Sequence, residues 1–277
     1  MRIALTGAGG IVGSLIAPAL ISAGHRITRL ERNTGFHLGD TPDLAGHDAL
    51  IHCAFAHSPG RYRGGEGDDP AAFRKANLDG SIRLFDAAAS GGVPRILFLS
   101  SRAVHDGWPQ GMLLTDDLPA KPANLYGEVK AGAEAHLAGL AAAGLRATAI
   151  RATGIYGPGR AHKWRDLFAD HLAGKMAAPR VATELHGLDL ANAVLRLLDH
   201  PAPPLLVNAS DLILDRHDLL AAVSKLTGCA TPLPERADAA ALRLPGCTAL
   251  ARLGWRPGGM ARLQATLPKL LDPGGHL

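Results

Sequence analysis

Apolar residues recur along this chain in two rhythms. Short runs at Arg2 to Thr6, His25 to Leu30, Ala49 to Ala54, Pro94 to Ser101 and Leu145 to Arg151 read as strands. The run ending at Ser101 is continuously apolar, as strands buried on both faces of a parallel sheet are. Between these runs lie longer stretches of helical period. Ile11 to Ala23 is one, interrupted by Pro18, where a kink is expected. Ala71 to Ala89 is another, with Phe73, Leu78, Ile82, Leu84 and Phe85 in phase, and Ala131 to Ala143 continues a third. Thr34 to Asp40 reads as a further short strand. Only Thr41 to Asp48 separate it from the next, too few for a crossover helix of about a dozen residues, so this edge of the sheet is trimmed. Strands alternating with helices predict an α/β, doubly wound parallel sheet.

Past Arg151 the rhythm loosens. Arg160 to Pro179, with Trp164, Arg165, His171 and Lys175, is expected to leave the sheet and help form a substrate lid. Leu185 to Leu198 reads as a short strand and helix. From Asn208 onward, helical runs (His217 to Leu226, Met260 to Leu271) alternate with Pro and Gly turns. The organisation predicted is a dinucleotide-binding domain over 1–159, rejoined by 185–207, and a small, discontinuous C-terminal substrate domain drawn mainly from 160–277.

Composition narrows the classes. A chain of 277 residues, 47% hydrophobic and 19% charged, can bury a full core and is not disordered. Net charge is +4 without a basic run, which suits an anionic ligand and argues against nucleic acid. No stretch reaches the ~20 apolar residues of a membrane span. Three cysteines (Cys53, Cys229, Cys247) without a CxxC spacing predict neither a disulfide framework nor a zinc site, and no metal is expected. With a strand starting at Arg2 and no room for a signal peptide, a cytoplasmic location is expected.

The candidate chemistry begins at Gly7-Ala-Gly-Gly10-Ile11-Val-Gly13, between a strand and a helix. That is the order a dinucleotide fingerprint requires. Gly7 permits the tight turn, Gly10 lets backbone N–H groups approach a pyrophosphate, and Gly13 lets helix and strand pack closely. Glu31 closes the second strand near the ~20-residue spacing expected for the acid on the adenosine ribose. A carboxylate there disfavours the extra phosphate of NADP, so NAD is the expected cofactor. Arg32 is the counter-argument, since it would accommodate that phosphate and keeps NADP as the alternative. Gly, Arg and Asp crowd Ser58 to Pro70, predicting an exposed loop at a strand's C-terminal end, either a cover for the cofactor or an insertion.

Tyr126 and Lys130 sit one helical turn apart in Asn124-Leu-Tyr-Gly-Glu-Val-Lys130. A phenol titrates near 10, and a neighbouring ammonium favours the phenolate, making it a usable acid/base near neutrality. An amphipathic helix with a half-buried Tyr and a solvated Lys has the same spacing. The pair gains weight from its company: the glycine turn, and the Ser100-Ser101 hydroxyls ending a strand.

Together Thr6 to Gly13, Gly39-Asp40, Leu50-Ile-His-Cys-Ala54, Asn77-Leu-Asp-Gly80, Leu99-Ser-Ser-Arg-Ala-Val104, Tyr126-x-x-x-Lys130, Arg151-Ala-Thr-Gly-Ile-Tyr-Gly-Pro-Gly159, His186-Gly-Leu-Asp189 and Leu253-Gly-Trp255 resemble the extended short-chain dehydrogenase/reductase family, in its NAD-dependent epimerase/dehydratase branch. The resemblance implies a Rossmann-type sheet. Gly7, Gly10, Ile11 and Gly13 would contact the pyrophosphate and Glu31 the ribose, with Asp40 at the adenine edge. Ala54 and Thr153 would lie along the dinucleotide. Tyr126 would be the acid/base, Ser101 its partner on the substrate oxygen, and Lys130 the ligand of the nicotinamide ribose. Asn77 would support a water relay or serve in packing. The partners implied are a sugar or nucleotide-sugar substrate and a second copy of the chain, as a homodimer. The activity implied is interconversion of a hydroxyl and a carbonyl by hydride transfer; epimerisation with retained cofactor and a cofactor-binding regulator are the alternatives. Arg102 and Ala103 stand where family dehydratases carry acids, which argues against dehydration.

Overall fold

The computed structural model describes residues 1–57, 67–159 and 162–272. Its first half builds a parallel sheet from β1 (Arg2–Thr6), β2 (Arg26–Leu30), β3 (Ala49–His52), β4 (Arg95–Ser101) and β6 (Arg146–Ala152). Between β4 and β6 lie a two-residue strand, β5 (Leu113–Leu114), and α4 (Leu125–Ala142). β9 (Leu206–Ala209) closes the sheet, whose order is β2-β1-β3-β4-β6-β9 with every pairing parallel. This is the doubly wound, Rossmann-like arrangement expected from the alternation of strand and helix.

Both faces are covered because the strands are apolar on both. α1 (Ile11–Ser22) and α6 (Gly187–Asp199) bury Ile16, Leu20, Leu190, Val194 and Leu197 against Ile3, Leu5, Ile51 and Leu97. α1 runs on through Pro18 to Ser22. On the other face, α3 (Gly80–Ser90) and α4 pack Leu84, Phe85, Ala133 and Leu137 on Leu50, Ile96 and Phe98. Each fully buried Leu, Ile or Phe contributes on the order of 1.5–3 kcal/mol, so these two layers supply much of the fold's stability.

A third apolar cluster lies apart from the sheet. α5 (Arg165–Leu172), α7 (Arg216–Thr227) and α9 (Gly259–Leu271) gather Trp164, Phe168, Leu219, Val223, Leu263 and Leu267 around Tyr156. With them goes a three-stranded sheet in the order β10-β8-β7, from β7 (Gly154–Tyr156), β8 (Val181–His186) and β10 (Leu212–Asp215). β7 therefore joins the smaller sheet although it follows β6 directly, and β8 does the same while α6 and β9 return to the main body. The chain switches sheets at Thr153 and again after Ala209. A parallel pair, β11 (Leu244–Pro245) on β5, and α8 (Thr248–Arg252) complete the return.

The strand expected over 34–40 does not form. Residues 32–34 make a 3₁₀ turn in which the Glu31 and Thr34 side chains cap each other's backbone. Gly35 and Gly39 follow with φ of 85° and 104°, outside any strand conformation. The helical run expected over 71–89 is present as α2 (Pro70–Arg74), a π-helical turn over Lys75–Asp79, and α3. The loop expected over 58–70 lies largely outside the described residues. No helix among the described residues is long and apolar enough to cross a membrane.

Candidate active site

The glycine turn is built by exclusion of side chains. Gly7 has a φ of 67°, and a Cβ there would stand 2.9 Å from the Ala54 backbone. A Cβ on Gly13 would strike the Gly7 carbonyl and lie 2.7 Å from Ala8 Cα. Gly10 caps the start of α1 with no side chain of its own, and its N–H donates to Gly7 O at 3.0 Å. The first turn of α1, beginning at Ile11, thus presents backbone N–H groups at the C-terminal end of β1, the arrangement that receives a pyrophosphate.

Glu31 reaches into the same turn. Its carboxylate accepts the Gly9 N–H at 2.6 Å, and Arg29 lies 3.8 Å from its other oxygen. An acid is therefore fixed at the rim of the cradle, where a ribose diol could meet it and a phosphate would be repelled. Arg32 is exposed in the 3₁₀ turn. Asp40 is also exposed; it accepts the His37 N–H at 2.6 Å in a turn whose Gly39 packs on Gly80. These features fit a nicotinamide dinucleotide without a 2′-phosphate.

A buried polar chain sets the neighbouring loop. Thr6 Oγ1 accepts the N–H groups of Cys53 and Ala54, each at 3.1 Å, and lies 2.7 Å from His52 Nδ1. His52 Nε2 lies 3.0 Å from Ser81 Oγ, which donates to Asn77 O at 2.5 Å. The chain is satisfied throughout when His52 carries its proton on Nε2. Burial pushes the pKa of His52 down to about 3, with the Lys130 charge acting in the same direction, so the ring stays neutral. Asn77 clamps the loop farther on: it accepts from Ala56 N at 2.7 Å and donates to Ala56 O at 2.8 Å and Phe73 O at 3.0 Å. Its amide is engaged with backbone on both ends, so the geometry favours packing over the water relay.

Ser101 ends β4, the Lys130 ammonium rests on that strand end, and Tyr126 lies one turn before Lys130 on α4. Asn124 caps α4 by accepting the Gly127 N–H at 2.8 Å. A Cβ on Gly127 would stand 2.6 Å from Ala103 O, so the start of this helix abuts the turn that follows Ser101. Ser101 Oγ accepts the Ala103 N–H at 3.2 Å, which uses a lone pair and leaves the hydroxyl proton for another acceptor. Lys130 is only 4% exposed; its ammonium donates to Leu99 O at 2.7 Å, two residues before Ser101. Burial lowers its pKa to about 7, partly opposed by Cys53 and Glu134. Thr153, at the switch between sheets, donates its N–H to Ala209 O at 3.0 Å and its hydroxyl to Ser210 Oγ at 3.3 Å.

One ion pair behind these residues escaped the sequence reading. Arg151 on β6 and Glu134 on α4 are 2% and 5% exposed and meet through two nitrogens, at 3.1 Å from Nε and 2.8 Å from Nη2. Ser100 Oγ donates to the same carboxylate at 2.5 Å. Arg151 Nη1 also donates to Leu118 O at 2.9 Å. Strand β4, helix α4, strand β6 and the segment after β5 are thereby tied together directly behind Ser101.

In the smaller lobe, Lys163 pairs with buried Glu184 beside Gly154. Arg165 pairs with Asp166 at the surface, and Arg216 donates to Ala178 O at 2.7 Å. Arg160 lies outside the described residues. His186 accepts the Leu188 N–H at 3.0 Å and meets Thr266 Oγ1 at 3.1 Å, a structural role. Among the described residues no cluster of His, Cys, Asp or Glu could hold a metal ion.

Residues 3–208 match the model of the NAD dependent epimerase/dehydratase family. The UDP-glucose 4-epimerase of Corynebacterium glutamicum is 30% identical over 161 residues, covering 52% of this chain and 47% of the relative. That of Mycolicibacterium smegmatis is 27% identical over 161 residues, half of each chain. The chain thus spans about half the length of the curated relatives it matches. Among solved structures, the UDP-glucose 4-epimerase of Thermotoga maritima with UDP-glucose superposes with a TM-score of 0.81 at 19% identity, over 99% of this chain and 98% of that one. MoeE5 in complex with UDP-glucose and NAD gives 0.79 at 20% identity, over 98% of both chains.

Proposed function

Because the chain belongs to the NAD dependent epimerase/dehydratase family of NAD-using enzymes, we propose that it interconverts a hydroxyl and a carbonyl on a sugar or nucleotide-sugar substrate. The observation that carries this reading is convergence. The glycine cradle follows β1 and Ser101 ends β4, with β3 between them. Helix α4, which carries Tyr126 and Lys130, sets the Lys130 ammonium on the Leu99 carbonyl of β4, at the sheet edge where doubly wound folds take their ligands.

NAD, when bound, supplies the site that accepts and returns hydride. The backbone of Gly7 to Gly13 would hold its pyrophosphate, Glu31 its adenosine ribose, and Lys130 its nicotinamide ribose. Ala54 and Thr153 would line the dinucleotide. Tyr126 removes the hydroxyl proton as the carbonyl forms and gives it back in the reverse direction. Ser101 donates a hydrogen bond to the same oxygen, stabilising charge as it develops there. Lys130, charged, favours the phenolate form of Tyr126.

Epimerisation is the second reading, favoured by the curated relatives named UDP-glucose 4-epimerase. It uses the same residues, with hydride returned to the opposite face of the sugar. Dehydration is disfavoured: Arg102 follows Ser101, and Asp106, the next acid, pairs with Arg102 at 2.9 Å.

The test is the mass spectrum of small molecules released by acid from freshly purified protein. Retained stoichiometric NAD supports an enzyme that recycles its cofactor in place. An empty protein that then binds NAD from solution supports an exchanging oxidoreductase. A protein that neither retains nor binds NAD refutes the proposal.

A further inference from the structure

Phe55 follows Ala54 in the loop after β3, and its ring touches both groups on which the proposed proton transfer depends. The ring centroid is 4.5 Å from the Lys130 ammonium. It is 5.1 Å from the centroid of the Tyr126 ring, at 81° to it. Phe73 buttresses Phe55 from a third side at 5.5 Å and 76°. The backbone on either side is pinned, at Ala54 by Thr6 and at Ala56 by both ends of the Asn77 amide. A second ring, Phe98 on β4, stands 4.6 Å from the same ammonium.

We propose that Phe55 is a positioning residue of this site, clamping the Lys130 ammonium against Phe98 between two ring faces while holding the Tyr126 ring nearly perpendicular. The inference rests on the reading that Tyr126 and Lys130 act as proposed above. Its physical basis is the attraction of a cation to an aromatic face, which is strongest where water is excluded. Lys130 is buried, and that burial outweighs the opposing effect of Cys53 and Glu134 on its proton. His52 and Cys53 face it from the end of β3: burial keeps the His52 ring unprotonated and pushes the Cys53 thiol up to about 12. From α4, Glu134 lies one turn on, and its carboxylate is shared with Arg151 and Ser100; Tyr126 lies one turn before. From β4 come the Leu99 carbonyl and the Phe98 ring. With the ammonium poised near neutrality, a modest change in π stabilisation alters the charged fraction available to Tyr126.

The test is a ¹³C NMR titration of the full chain labelled at lysine Cε, with the Lys130 signal assigned from Lys130→Met. Phe55→Leu keeps the apolar bulk and removes the ring face. The Lys130 midpoint is expected to fall by about half a pH unit or more, the low end of a cation–π contribution. Phe55→Trp restores the wild-type midpoint. Phe55→Met repeats the experiment should Phe55→Leu fail to fold. A midpoint that stays or rises in the aliphatic variants overturns the proposal, because simple loss of packing admits water and moves it upward. NAD affinity, measured by calorimetry on the same samples, separates the two claims. Absence of NAD binding by the wild type refutes the proposed function, whereas the Lys130 titration decides the role of Phe55.

Discussion

Breaking the Glu134–Arg151 pair from one side leaves an uncompensated charge in a closed interior. Replacing Glu134 by Leu strands a guanidinium that cannot shed its proton at any workable pH. Replacing Arg151 by Met strands a carboxylate that can escape by taking a proton. Removal of one partner from a buried pair costs about 3–5 kcal/mol. With both residues at most 5% exposed and the contact bidentate, Glu134→Leu should reach the upper part of that range and Arg151→Met the lower. Such losses are a large share of the ~5–15 kcal/mol that holds a typical domain together. The double variant Glu134→Leu/Arg151→Met removes both charges and should recover at least half of the Glu134→Leu loss, giving a coupling energy well above 1 kcal/mol. Urea unfolding followed by circular dichroism reads all four corners of the cycle. A Glu134→Leu loss below about 1 kcal/mol, the scale of an exposed pair, would refute the assignment of this contact as a buried tie behind the site.

Two further outcomes follow from the cradle. His52 is held near 3 when folded and titrates near 6.5 when unfolded, so its stabilisation is complete above pH 6.5 and is lost as pH falls, reaching about 2 kcal/mol at pH 5. Comparing the pH dependence of unfolding in wild type and His52→Gln checks this, the variant showing the shallower slope. Gly13→Ala forces a methyl into the Gly7–Ala8 backbone and should cost about 1–3 kcal/mol of stability and weaken NAD binding at least tenfold, read by calorimetry.

Much of this arrangement was legible along the chain because it is local. A glycine turn between a strand and a helix, a carboxylate at the next strand end and hydroxyls ending an apolar strand each declare themselves within a few residues. Glu31 even meets Gly9 directly. The stretch 34–40 misled because its polar and apolar residues alternate like a strand, while Gly35 and Gly39 in left-handed conformations and the Glu31–Thr34 cap fold it into turns. Glu134 and Arg151 were missed for a different reason. Periodicity marks a charge as outward-facing by default, and only the packing of α4 on β6 shows that both point inward. The available signal was an acid on a helix otherwise made largely of Ala and Gly, opposite an Arg ending an apolar strand. Phe55 gave no warning: an aromatic in a loop after a strand is common, and its meaning appears only when the Lys130 ammonium is found beneath it.

The most direct test of the account is turnover by wild type and Tyr126→Phe side by side, with NAD and a panel of nucleotide-diphosphate sugars that includes UDP-glucose and UDP-galactose. The variant should bind NAD with wild-type affinity yet lose at least about 10²-fold in rate, the contribution expected of a general acid–base. Equal turnover in the two proteins, or none by the wild type across the panel, would contradict the claim that Tyr126 moves the proton of an NAD-linked reaction on such sugars.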